Sequence, residues 1–285
     1  MTPPAPAPTS TPPGAGSPLA TLLQRPGAVV MGVLNVTPDS FSDGGHFLAP
    51  DLALAQAKRM AAEGADILDI GGASSRPYGN NVEPSAEEER QRLAPVLPAV
   101  VALGLPVSID TQQAAVARWA LEQGAAIAND VWGLQRDPDM AGVIAAHGAP
   151  VIVMHNRVEA DPSIDIMADI VAFLTRSLEI ATAAGIARDA IVLDPGIGFG
   201  KTQKQSLEVL ARLDELRAFG LPILVGASRK RFIASITPSE PHERLGGSIA
   251  AHLAAVRAGA KIIRAHDVAE TVQALRIHEA IEQAR

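Results

Sequence analysis

The chain has 285 residues, 47% of them hydrophobic and only 3% aromatic, which suits a large aliphatic core and argues against a disordered chain. A net charge of −7 lacks the basic footprint of a nucleic-acid binder, so any anionic ligand must meet cations gathered locally. The sequence has no cysteine, which excludes disulfides, thiolate zinc sites and thiol nucleophiles and fits a cytoplasmic protein.

Residues 1–18 form an uncharged run of Pro, Ala, Thr, Ser and Gly. It has neither the basic start nor the apolar block of a signal peptide. It reads as a disordered tail ahead of one domain over residues 19–285. No stretch reads as a membrane-spanning helix.

Beyond the tail one pattern recurs: a short apolar run, a polar residue, a loop, an Ala-rich amphipathic stretch, a glycine. The apolar runs are Val29–Leu34 ending at Asn35, Ile67–Gly72, Pro106–Asp110 and Ala126–Asp130. Val151–His155, Ile191–Asp194, Ile223–Gly226 and Lys261–Arg264 follow. Runs of this length, β-branched and without clean alternation, suit strands buried on both faces. Helical spacing marks Asp51–Glu63, Ala168–Ala184 and Pro241–Ala258. Gly64, Gly104, Gly124, Gly148, Gly185, Gly220 and Gly259 stand where helices should end.

Eight strand–helix units without interruption predict a single (β/α)₈ TIM barrel, fold class α/β, preceded by the disordered tail. The alternative, a doubly wound open sheet, should carry Gly-x-Gly-x-x-Gly after its first strand. Here the first strand runs into Asn35-Val36-Thr37-Pro38-Asp39.

In a barrel, chemistry gathers at the C-terminal ends of the strands. Those ends carry Asn35; Asp69 with Ser75 and Arg76; Asp110; Asn129 with Asp130; His155; Asp194; Ser228, Arg229 and Lys230; and Arg264, His266 and Asp267. Any one of them has an ordinary explanation. A strand-end Asp commonly caps the next helix, Asp194-Pro195-Gly196 alone is a turn, and His155 could satisfy a backbone group. The agreement of all eight ends carries the argument. Three loops, 37–45, 73–83 and 196–201, have the length or glycine content of segments that close over substrates. The last ends in Gly200-Lys201, but three residues separate Gly196 from Gly200 where a Walker A loop needs four, so a P-loop NTPase is rejected.

Five stretches in order resemble the dihydropteroate synthase family. They are Gly32–Gly45 (GVLNVTPDSFSDGG), Asp69–Pro77 (DIGGASSRP), Asp194–Lys201 (DPGIGFGK), Ser228-Arg229-Lys230, and Arg264–Val268 (RAHDV). The resemblance covers nearly the whole chain beyond the tail. Two places depart from the family pattern. Ala73-Ser74-Ser75 stands where Glu-Ser-Thr is usual, and Asn156-Arg157-Val158 follows His155 where a Met-Gln-Gly type is usual.

The resemblance implies condensation of 6-hydroxymethyl-7,8-dihydropterin pyrophosphate with p-aminobenzoate to give 7,8-dihydropteroate and pyrophosphate. It assigns Asp110, Asn129, Asp194, Lys230, Met154 and Phe199 to the pterin. Asn35, Ser75, Arg76, Arg264 and His266 go to the pyrophosphate, and Phe41, Pro77 and Ser228 to p-aminobenzoate. Lys230, Arg264, His266 and Arg76 are the implied catalytic residues. Mg²⁺ is the implied cofactor, held by Asn35 and Asp69. A cytoplasmic homodimer with small-molecule substrates, no nucleic acid and no membrane is implied as well. Two other readings stay open at this point: a non-catalytic pterin-binding homologue and a methyltetrahydrofolate-binding methyltransferase domain.

Overall fold

The structure is a computed structural model in which residues 16–37, 49–73 and 84–285 are described. The expected tail lies outside them up to residue 15. Among the described residues no helix is long and apolar enough to cross a membrane.

The eight strands are β1 (Val29–Asn35), β2 (Ile67–Gly71), β3 (Val107–Asp110), β4 (Ile127–Asp130), β5 (Val151–Met154), β6 (Ile191–Asp194), β7 (Leu224–Val225) and β8 (Ile262–Ala265). Neighbours in the sequence are parallel neighbours in the sheet, and β8 returns to pair with β1. A parallel bridge between Leu193 and Ile223 joins β6 to β7 and closes the ring. The expected barrel is therefore present, with each strand within about a residue of its expected run.

The helices are α1 (Pro18–Gln24), α2 (Ala49–Ala62), α3 (Ala86–Leu93), α4 (Leu97–Val101), α5 (Ala114–Glu122) and α6 (Met140–His147). They continue with α7 (Ile166–Ala183), α8 (Gln203–Ala211), α9 (Arg231–Ile236), α10 (Leu245–Arg257) and α11 (Val268–Gln283). The seven glycines read as helix ends all have positive φ, from 60° at Gly148 to 107° at Gly259. Helix α7 starts two residues earlier than its apolar spacing indicates, because the Asp165 carboxylate accepts from the Met167 and Ala168 amides. The expected helix 241–258 is split. A 3₁₀ turn covers Pro241–Glu243, and Arg244 breaks the ladder before α10. At the break the Arg244 guanidinium donates to the carbonyls of Ser239 and Arg229.

Strand pleating divides the apolar residues between two cores. Outward residues such as Val151, Val153, Leu68 and Ile70 pack against the helices. Inward residues Val29, Met31, Ile67, Ile127, Ile152, Val192, Leu224 and Ile262 fill the lower barrel. Helix α1 closes that end. Its first turn is capped by the Ser17 hydroxyl, which accepts from the Ala20 amide at 3.1 Å, with Pro18 at N1. Leu19, only 2% exposed, plugs the interior cluster, flanked by Leu22 and Leu23. Full burial of such a side chain stabilises by roughly 1.5–3 kcal/mol. The plug frees the upper end of the barrel to be polar.

Candidate active site

The inward positions, mostly aliphatic at the bottom, become polar at the top. Asp69, Asp110, Asn129 and Asp194 follow Ile67, Ser108, Ile127 and Val192 by one pleat repeat, and Arg264 follows Ile262. All four acidic or amide side chains are buried, with residue exposures of 1–5%. Arg264 bridges two of them. Its Nε donates to Asp69 at 2.6 Å and its Nη2 to Asp110 at 2.9 Å. The Asn129 amide donates to both oxygens of Asp69, at 3.3 and 3.2 Å. These contacts join β2, β3, β4 and β8 into one polar layer.

Burial makes the layer proton-sensitive. It pushes the Asp110 carboxyl up to about 7 against the pull of Arg264, and Asp69 pushes the same way. It also raises Asp194 to about 6, opposed by the Gly196 amide and by Lys230. The Gly196 amide donates to Asp194 Oδ1 at 2.7 Å, which fixes the carboxylate at the edge of the layer.

Above it lies a small apolar wall of Val131, Met154 and Phe199, with Trp132 packed against it. The Lys230 ammonium sits 4.1 Å from the centre of the Phe199 ring, within cation–π reach. Carboxylates, an amide and an ammonium beside an aromatic wall are groups that could bind a flat ligand with donors on one edge and an acceptor elsewhere.

Ser228 and His266 meet across β7 and β8. The Ser228 hydroxyl lies 3.2 Å from the His266 amide, which donates to it, and 3.0 Å from His266 Nδ1. Burial, then the nearby Arg264, Arg229 and Lys230, lowers His266 to about 3, so the imidazole is neutral at pH 7. Asn35 stands half-buried at the end of β1. Phe41, Ser75, Arg76 and Pro77 lie outside the described residues.

Three strand-end groups have local work. The Asp130 carboxylate accepts from the amides of Trp132 and Leu134 and so builds its own loop. Asp267 pairs with Arg229, whose φ of 57° is held by that pair and by the Ser248 hydroxyl accepting from its amide.

Sequence reading passed over one further pair. Lys201 and His155, 46 residues apart in the chain, are in contact behind the β6 loop. Lys201 is 2% exposed and His155 is fully buried. The available signal was a lysine closing a glycine-rich loop that had no phosphate-binding geometry.

The chain matches the family model described as pterin binding enzyme over residues 31–266. It is 43% identical over 254 residues to a dihydropteroate synthase of Bacillus subtilis, covering 89% of this chain and 88% of that one. Among solved structures, a dihydropteroate synthase of Clostridium difficile, crystallised in the presence of pteroic acid, is 46% identical. It superposes with a TM-score of 0.85 over 90% of this chain and 97% of its own. That of Xanthomonas albilineans with 4-aminobenzoic acid is 43% identical, with a TM-score of 0.87 over 91% and 94%. By extent of match and identity, the chain belongs to the pterin-binding enzyme family, in its dihydropteroate synthase branch.

Proposed function

We propose that the protein joins 6-hydroxymethyl-7,8-dihydropterin pyrophosphate to p-aminobenzoate, releasing 7,8-dihydropteroate and pyrophosphate. The observation that carries this reading is the ring of Asp110, Asn129, Asp194 and Lys230 beside Phe199. A pterin presents ring N–H, exocyclic amine and carbonyl along a flat edge. A buried carboxylate can accept two parallel hydrogen bonds from that edge. Asp194 takes the N–H and amine, Asp110 and Asn129 the remaining nitrogens, and Lys230 the carbonyl and N5 side. Met154 and Phe199 pack on the ring. Buried polar groups reject a ligand that leaves them unpaired, which supplies selectivity.

The reaction breaks the methylene C–O bond, whose electron pair leaves with pyrophosphate. It forms a C–N bond from the amine lone pair, and the amine then loses a proton. The dihydropterin ring spreads positive charge from the methylene, so no protein nucleophile is needed. Arg264 and His266 at the mouth, with Arg76, Ser75 and Asn35, receive the pyrophosphate; arginine suits bidentate phosphate contact. Neutral His266 does so as a hydrogen-bonding group rather than as a cation. Ser228, with Phe41 and Pro77, takes p-aminobenzoate.

Asn35 and Asp69 are oxygen donors on adjacent strands, in the register Val33 to Asp69 and Asn35 to Gly71. Asp69 is already engaged by Arg264 and Asn129. That donor set fits a hard ion that keeps most of its waters and leans on substrate phosphate, as Mg²⁺ does. When bound there, Mg²⁺ would offset charge on the leaving pyrophosphate. The reading extends to a cytoplasmic homodimer, which light scattering of the purified protein and cell fractionation test.

The primary experiment incubates the protein with the dihydropterin pyrophosphate, p-aminobenzoate and Mg²⁺ and follows dihydropteroate. Product that requires both organic substrates is the expected result. Pterin binding without product would replace this reading with a non-catalytic pterin-binding protein.

A further inference from the structure

The loop that carries Asp194 and Phe199 is held from behind by a buried chain of polar groups. Lys201 Nζ donates to the carbonyls of Gly196 at 2.9 Å and Phe199 at 3.2 Å, and to His155 Nδ1 at 2.6 Å. An ammonium has three protons, and here it has three acceptors. Because His155 accepts at Nδ1, its proton sits on Nε2, which donates to Asp169 at 2.9 Å. Arg157 pairs with the other Asp169 oxygen at 2.8 Å. The chain thus runs from a part-exposed ion pair on α7 to the two bends of the β6 loop.

The packing around the chain leaves little slack. A Cβ on Gly196, whose φ is 66°, would lie 1.9 Å from the His155 carbonyl oxygen, and one on Gly200 would lie 2.4 Å from Arg157 Cβ. The His155 amide donates to the Asp194 carbonyl, so β5 and the loop root move together.

We infer that Lys201, oriented by His155 and Asp169, is a positioning residue for pterin capture: its ammonium fixes the loop geometry that aims Asp194 and stands the Phe199 ring beside Lys230. It touches no substrate and acts through the carbonyls of Gly196 and Phe199. The inference rests on the reading of this mouth as a pterin pocket. A neutral amine has two protons and must release one acceptor, so pterin capture depends on the charge of Lys201. Burial lowers its pKa to about 7; Asp194 and Asp169 hold it up, while Lys230 and Arg157 push it down. His155, lowered by burial and by Lys201 itself, stays neutral and serves as an acceptor.

The test measures steady-state kinetics for both substrates and binding of 6-hydroxymethylpterin by fluorescence, across pH, for wild type, Lys201→Met and Asp169→Asn. Lys201→Met keeps length and packing but removes the three donors. It should raise KM for the dihydropterin pyrophosphate, and Kd for the probe, about tenfold or more, with KM for p-aminobenzoate within about twofold. A well-folded Lys201→Met protein with wild-type pterin KM and Kd overturns the inference. Should that variant fail to fold, Asp169→Asn decides. It leaves the Nε2–H acceptor in place but removes the negative charge, so the alkaline limb of kcat/KM for the pterin should move to lower pH. An unmoved limb overturns the inference. A wild type that makes no dihydropteroate and binds no pterin rejects the parent reading instead, whereas normal turnover with insensitive variants rejects this inference alone.

Discussion

The two ends of the barrel interior are built by the same strands and do opposite things. At the bottom, Val29, Met31, Ile67, Ile127, Ile152, Val192, Leu224 and Ile262 pack over the Leu19 plug. One pleat repeat higher, β2, β4, β6 and β8 present Asp69, Asn129, Asp194 and Arg264, and β3, whose lower position is Ser108, adds Asp110. The lower layer gains free energy by leaving water. The upper layer pays desolvation for buried charges that one another's hydrogen bonds recover only in part. A shift of two residues along a strand therefore separates what holds the barrel from what reads a ligand. The aliphatic end makes the polar end affordable in a fold with only a few kcal/mol to spare.

Substitutions at either end sharpen that contrast. The largest effect expected is on activity at the top. On the proposed pterin reading, Lys230→Ala should reduce kcat/KM by about 10²–10³-fold, since it removes the charge assigned there to the reacting ligand, with little change in the unfolding midpoint. Arg264→Ala should act on both ledgers. It leaves Asp69 and Asp110 buried without their cation, a loss on the order of 3–5 kcal/mol when one partner of a buried pair is removed, and it should also weaken pyrophosphate binding. Its stability deficit has a sign in pH. Without Arg264, Asp110 titrates still higher, so the folded state favours the protonated carboxyl. The deficit should shrink as pH falls below about 7 and be greatest above it, as urea denaturation at several pH values would reveal.

At the bottom, Leu19→Ala should cost about 2–3 kcal/mol through lost burial and the cavity left behind, with kcat and both KM values unchanged. A matching loss of activity at temperatures where the protein stays folded would contradict the division of labour. Ser17→Ala, which deletes the cap on α1, is the smallest change, about 1 kcal/mol in thermal or chemical unfolding.

Much of this division can be read in the chain itself. The eight apolar runs mark the strands because a barrel strand, covered on both faces, needs no alternation. The glycines mark helix ends because the left-handed conformation there disfavours other residues. The polar residue closing each run locates the mouth. What could not be read depends on partners distant in sequence. At Arg244 the helix expected over 241–258 is interrupted, and its guanidinium reaches the Arg229 carbonyl, 15 residues away. Arg264 looks like a phosphate ligand, yet its direction is set by two aspartates 154 and 195 residues away. Lys201 merely closes a glycine-rich loop in the sequence, and only the fold shows it turned inward onto His155. The plug at the bottom did leave a local trace: Ser17-Pro18 is a cap followed by a helix start, and Leu19, Leu22 and Leu23 have the spacing of one apolar face. Read as the end of a low-complexity run, it passes unnoticed.

The seam between β6 and β7 carries a further consequence. Strand β7 has two residues, and the bridge from Leu193 to Ile223, with the Leu193 amide donating to the Pro222 carbonyl, sews it to β6. Elsewhere in the ring, β1 and β2 pair over five residues. Asp194 ends one side of the short seam, and Ser228 and Lys230 follow the other. A barrel that opens at its shortest stitching opens between the carboxylate and the ammonium that the proposed pterin site places on its two sides. Backbone amides along β6 and β7 should exchange with deuterium sooner than those of β1 and β2. A pterin held as proposed, by Asp194 on one side and Lys230 on the other, would then act as the missing rungs of the sheet, so that the ligand would complete the closure of the fold that binds it.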